Sequence, residues 1–230
     1  MGVLEAAARI VQLGGEKRER VAEMRASFEA RAGAFAPEDP WFEERSRAFW
    51  CDAVTRGRFG REVEGELRAD ERRWLGPLER AHRGLFQRRP VLDRPSPRPR
   101  GEGEVLVDVW SGAEMVVTAL DEESRAELEA ATGQLLDGRV VGADEPPVAT
   151  LLPGAVFHPR QATEAIEAVL EAARASHMAT HDTLDALLRM ERTLRALSRV
   201  KTAYAYRPEA LSAQPSGGQR PVRRAAKGPK

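Results

Sequence analysis

The chain is short of several things, and each shortage removes a class of function. It has one cysteine, Cys51, so no disulfide closes within it and no thiolate cluster can build a zinc site unaided. Lysine occurs only at Lys17, Lys201, Lys227 and Lys230 among 36 basic side chains, which leaves 36 − 4 = 32 arginines. That skew reads as GC-rich coding rather than a chosen arginine chemistry. Net charge is also missing: 36 acidic residues balance the 36 basic ones, so no global field draws the protein onto DNA or a membrane. No apolar run approaches the ~20 residues that span a bilayer. The start, Met1 to Glu5, lacks the basic and apolar regions of a secretion signal. A soluble cytoplasmic protein without cofactor or metal is the expectation.

What is present suffices for a core. Hydrophobic residues make up 42% of 230, enough for one ordinary domain or two small ones. Composition divides the chain into a helical N-terminal region (1–87), a proline- and arginine-rich linker (88–103), a small β module (104–159), a helical pair (160–206) and a disordered basic tail (207–230). The fold class expected is α+β, with a small antiparallel sheet or barrel in the middle.

The N-terminal helices are predicted over residues 3–32, Pro40 to Arg56 and Asp70 to Gln87. Trp41, Phe42, Phe49 and Trp50 recur at helical spacing, which places them in the core more readily than on a base-stacking surface. Cys51 beside them reads as a small buried hydrophobe, since no histidine lies in sequence reach to activate it. In the middle, Val105 to Trp110 and Ala113 to Val117 flank Ser111-Gly112, a hairpin signal. Leu106, Asp108 and Trp110 then share one sheet face with Met115 and Val117. Further strands are expected at Leu136 to Val141 and Thr150 to Phe157, with a short helix over Asp121 to Ala131. Asp108 and Arg139 each interrupt an apolar run, so they are expected to form a structural pair; a catalytic or metal-binding Asp108 is the sharper alternative.

The order Ala48-Phe49-Trp50-Cys51-Asp52, then Leu67 to Leu75 with Asp70-Glu71-Arg72-Arg73-Trp74, then Gly84-Leu85-Phe86, resembles a poorly characterised bacterial module. In that module aromatic helices precede a small β domain with a strand reading Asp-aliphatic-x-Ser/Thr-Gly, as in Asp108-Val109-Trp110-Ser111-Gly112. A later Leu-x-x-Arg-Val-Val strand is matched by Leu136 to Val141. Some relatives carry a cysteine-rich zinc tail of the SEC-C type; with Cys51 alone, that function does not transfer. The resemblance spans residues 40–160 and implies no catalytic residues.

The last predicted helix, His181 to Tyr206, carries the candidate partner-binding residues. Leu187, Met190, Leu194 and Leu197 alternate three and four apart as a seam, while Arg189, Arg192, Arg195 and Arg199 gather on the opposite side. An arginine stripe suits phosphate or an acidic partner, although a solvated face is the plainer reading. His177 and His181 are four apart, but no glutamate follows His177 as a zinc-protease motif requires. No phosphate loop, nucleophile elbow or dinucleotide fingerprint occurs. The first expectation is therefore a non-enzymatic adaptor or regulator that contacts another protein through its helices. A nucleic-acid-associated protein using the Arg189–Arg199 stripe and the tail is the alternative, and an enzyme of unrecognised type the third.

Overall fold

The computed structural model describes residues 2–89, 103–119, 122–142, 148–197 and 201–212. Helices α1 (Val3–Leu13), α2 (Arg18–Ala32) and α3 (Phe42–Val54) come first, followed by the short α4 (Phe59–Glu62), α5 (Ala69–Arg72) and α6 (Leu75–Glu79). Strands β1 (His82–Arg89), β2 (Glu104–Asp108) and β3 (Glu114–Ala119) precede α7 (Glu122–Ala130). Strands β4 (Leu135–Gly142), β5 (Val148–Leu151) and β6 (Val156–His158) follow it. Helices α8 (Thr163–Ala175), α9 (Thr180–Ala196) and α10 (Thr202–Ala205) complete the order. The protein is α+β, with helices on both sides of a small barrel-like sheet in the chain.

Spacing explains the N-terminal helices. Helix α1 buries Val3, Ala6, Ile10 and Leu13, three or four residues apart, and α2 buries Met24, Phe28 and Ala32. These side chains meet Phe49 and Val54 of α3 and Phe59 of α4 in one core. The Phe28 and Phe49 rings stand edge-on at 6.0 Å, so the aromatic cluster is packing rather than a ligand surface.

In the sheet, β1, β2, β3, β5 and β4 bond in that order, and β4 returns to β1 to close a barrel. Every pairing around it is antiparallel except β3 with β5. Phe86, Leu106, Val117, Leu136, Val140 and Leu151 fill the interior, with Leu128 of α7 packed among them. Outward from the same strands, Leu85 and Leu135 pack against Ile166, Val169 and Leu170 of α8 and Leu184, Leu187 and Met190 of α9. Strand β4 is buried from Leu135 to Val141 because it faces the interior on one side and helices on the other. Beyond β5 the chain bends at Gly154, whose φ is +97° and where a Cβ would lie 2.4 Å from the Arg47 carbonyl oxygen. Only glycine lets α3 come that close.

Several predicted boundaries shift. Residues 82–89 are a strand, not the end of a helix, so the predicted boundary at residue 87 falls inside β1. Lying between β2 and β4, this segment gains two ladders of backbone bonds, which outweigh the helical spacing of Leu78, Ala81 and Leu85. Residues 90–102 of the expected linker lie outside the described residues. The β2–β3 connection is longer than two residues: Leu106 pairs with Met115, and Val105 with Val116. Relative to a two-residue turn, the register moves by two, which preserves the predicted faces of Leu106, Asp108, Met115 and Val117; Trp110, expected on that face, lies beyond β2 and packs with the α8–α9 cluster instead. The predicted strand Thr150 to Phe157 is split into β5 and β6. The predicted last helix ends at Ala196, and Tyr204 belongs to α10. Arg207 to Ser212 is ordered rather than tail, with Ala210 and Leu211 packed on the α8–α9 core; residues 213–230 lie outside the described residues.

Candidate functional site

Three polar clusters lie within the packed layers, and α3 and α9 build two of them. Along α3 the buried Arg45, Ala48, Phe49 and Asp52 are spaced as one helix face. Along α9 Leu184, Leu187, Leu188 and Glu191 do the same, with Asp185 beside them. Charged residues thus occupy core positions of both helices, and each must find a partner there.

The first cluster joins the helices to the barrel. Arg83 of β1 donates Nε and Nη2 to Asp137 of β4 at 2.9 and 2.7 Å, and Nη1 to Asp185 of α9 at 2.6 Å. Arg31 of α2 bridges Asp52 at 2.6 Å and Asp185 at 2.9 Å, and Arg56 adds a contact to Asp185 at 3.1 Å. Arg139 of β4 donates to Asp52. Burial pushes the Asp185 carboxyl up, but the guanidiniums of Arg83 and Arg31 outweigh it and hold the group below the usual carboxylate range. Cys51 lies alongside; burial raises its thiol although Arg139 opposes this, so it stays a thiol and not a nucleophile.

The expected Asp108–Arg139 pair is not formed. Both residues are buried, at 1% and 6% exposure, but Arg139 points outward from β4 to Asp52 of α3. Asp108 ends β2 and folds the turn after it. Its Oδ1 accepts from the Trp110 amide at 3.0 Å and its Oδ2 from the Ser111 hydroxyl at 2.6 Å; His82 Nε2 lies 3.1 Å from Oδ2. This local turn holds the pairing with β3 short of Ser111-Gly112. Burial raises the Asp108 carboxyl, and these bonds more than offset it, so the group is held low. An ionised carboxylate already satisfied by three donors is a poor general base.

The second cluster lies between α3, α9 and β6. Arg45 donates to the Leu188 carbonyl at 2.8 Å and to Glu191, while Arg195 pairs with Glu191 and with Glu44 at 2.6 and 3.0 Å. Burial raises the Glu191 carboxyl despite Arg45 and Arg195. His158 Nδ1 and the Tyr206 hydroxyl are 2.8 Å apart. Burial takes His158 down to about 4, with Asp137 opposing and Arg45 assisting, so the imidazole is neutral near pH 7. An open groove of about 560 Å³ runs past this cluster, lined by Arg47, Glu127, Arg160, Glu191, Leu194 and Arg195.

The seam residues separate in space. Leu187 and Met190, expected to contact a partner, are 0% and 2% exposed in the chain's own core. The reason is that α8 supplies Ile166, Val169 and Leu170 and the barrel supplies Leu85, more apolar area than the alanines of α8 suggested. Leu194 is half-buried at the groove, and Leu197 is 43% exposed. The arginine stripe is divided as well. Arg195 is neutralised by Glu44 and Glu191, Arg189 donates to the Arg31 carbonyl, Arg192 packs over Gly33, and Arg199 lies outside the described residues.

Sequence reasoning missed Arg31, Arg45, Asp52, Arg83, Asp185 and Glu191. The signal was present for four of them. Arg45 and Asp52 stand in phase with Ala48 and Phe49, and Glu191 in phase with Leu184, Leu187 and Leu188, while Asp185 adjoins Leu184. Among the described residues no group of histidine, cysteine, aspartate and glutamate could hold a metal ion, and no helix is long and apolar enough to cross a membrane. No family model matches this chain, and neither the curated proteins nor the solved structures contain a match to it.

Proposed function

We propose that this protein acts without catalysis, as an adaptor or regulatory module that binds another protein through the C-terminal end of α9 and through α10. One observation carries the reading: among the described residues the large apolar side chains left exposed are Leu197 at 43% and Tyr204 at 55%. They flank the break between these two helices, where Leu197 has left helical geometry with φ −105° and ψ 105°. Three residues before Leu197 on the same helix, Leu194 lines the groove, where the charges Arg47–Glu127 and Arg195–Glu44 are ion-paired. Burying one leucine contributes roughly 1.5–3 kcal/mol, so two such side chains supply a useful part of a modest affinity.

A nucleic-acid role is the second reading, favoured by the barrel. A five-stranded Greek-key barrel is the architecture of the OB-fold, which binds oligonucleotides on the face of its second and third strands. Here the outward residues of that face are Val105, Val107, Glu114 and Val116, and Glu114 pairs with Arg89 at 2.8 Å. They include no aromatic ring for bases to stack on, and an arginine held by a glutamate is poorly placed for phosphate. The protein-binding reading therefore stands first.

Photo-crosslinking tests it. A benzoylphenylalanine replacing Leu197 in the full chain, expressed in the source organism, should yield a discrete protein adduct, and the same residue at Val107 should not. An adduct at Val107 alone, or nucleic acid in the adduct, would overturn the reading.

A further inference from the structure

We infer that Arg189 and Arg192 form the recognition site for an acidic segment of the partner protein, their guanidiniums receiving its carboxylates. The inference rests on the proposed protein-binding role and names the partner's chemistry. Of the four arginines on this side of α9, Arg195 has two glutamates and Arg199 lies outside the described residues. Arg189 and Arg192, one turn apart and both half-buried, have no carboxylate at ion-pair distance among the described residues. Arg189 donates one bond to the Arg31 carbonyl. The Arg192 Nε is buried without any partner. A buried Nε–H left without an acceptor is costly.

The backbone is shaped around them all the same. Gly33 ends α2 with φ +96°, and a Cβ there would lie 2.8 Å from the Arg192 Cδ. A glycine in a left-handed conformation thus seats the Arg192 stem against α2, holding both guanidiniums along the α2–α9 edge. Burial lowers the Arg189 guanidinium, with Asp185 and Asp182 opposing. Nearby carboxylates therefore only partly compensate the charge, and an incoming carboxylate completes the set. A fork of donors fixed in this way suits planar, bidentate recognition. A nucleic-acid backbone suits it less. It needs a row of cations, and Arg195, the next arginine on this side, is already held by Glu44 and Glu191.

The test uses the full chain and fluorescence anisotropy with a short labelled glutamate-rich peptide, its glutamine counterpart, and a single-stranded oligonucleotide. The glutamate peptide should bind and the glutamine peptide should not. Arg192→Gln and Arg189→Gln should each weaken binding roughly tenfold, Arg192→Lys should restore only part of it, and Arg18→Gln, removing an exposed arginine at the start of α2, should change it less than about twofold. Thermal melts check that each variant folds; should Arg192→Gln fail, Arg192→Lys and Arg189→Gln still decide. Equal weakening by Arg18→Gln, wild-type binding by the Arg189 and Arg192 variants, or preference for the oligonucleotide would overturn the inference. Lost peptide binding with the Leu197 adduct intact removes the acidic partner alone. A lost adduct with peptide binding intact removes the Leu197 contact instead.

Discussion

Helix α9 differs sharply between its two ends. From Thr183 to Glu191 nearly every residue is buried, including Asp185 and Glu191, which bind arginines of α2, β1 and α3. From Arg192 to Leu197 the helix is half-buried or exposed, its arginines lie along α2 and the groove, and it breaks at Leu197. The first part, the half-buried Arg189 apart, fastens helices to barrel, and the second part is exposed or half-buried. One continuous apolar and arginine pattern thus serves two purposes, and the difference is set by neighbours rather than by the pattern itself.

Variants in the fastened half should have the largest effects. Asp185→Ala leaves Arg31 and Arg83 short of a buried carboxylate and should cost roughly 3–5 kcal/mol in urea unfolding. Leu187→Ala, at 0% exposure, should cost about 2–5 kcal/mol by opening a cavity among α8, α9 and β1. A loss below about 1 kcal/mol in either would mean this half does not fasten the fold.

Acid should act on the packed layers around this half. Unfolded His158 takes up a proton near the ordinary value of 6.5, but folded His158 does so only near 4. The unfolded state therefore binds more protons between these values, so stability is full above pH 6.5 and falls as pH drops toward 4. The lowered Asp185 carboxyl adds a further loss below its ordinary value of 3.8. Thermal midpoints should fall through that window, and His158→Gln should flatten the upper part while keeping the lower. A flat wild-type profile from pH 6.5 to 4 would contradict a buried neutral His158.

Asp108→Ala should be milder, about 1–3 kcal/mol, because it removes a turn-forming acceptor and strands no fully buried cation: the His82 side chain is 48% exposed. At the presented end, Leu197→Asp with Tyr204→Asp should shift stability by no more than about 0.5 kcal/mol, and Tyr204→Asp in the chain carrying benzoylphenylalanine at position 197 should abolish the partner adduct. Unfolding of that double variant would place these side chains in the core.

Much of the architecture was legible. Alternation placed Leu106, Asp108 and Val117 on the inner face of the hairpin, and a two-residue register error could not disturb it because strand faces repeat every two residues. Strand β1 was not legible, since Leu78, Ala81 and Leu85 keep helical spacing and only pairing with β2 and β4 makes the segment extended. The arginine–aspartate cluster was half legible. A charge standing in apolar phase, as Arg45, Asp52 and Glu191 do, announces burial. Its partner does not follow, because Arg31 and Asp185, or Asp52 and Arg139, are joined only by how the layers pack. The Asp108–Arg139 expectation failed on that point: two buried opposite charges were identified, and each was satisfied elsewhere.

Hydrogen exchange along α9 in the full chain tests the division of this helix most directly. The amides of Leu184 to Glu191 should exchange only through global unfolding, while those of Thr193 to Leu197 should exchange at least about a hundredfold faster through local opening. A single uniform rate from Leu184 to Leu197 would contradict it, since the whole helix would then belong to the fastened core.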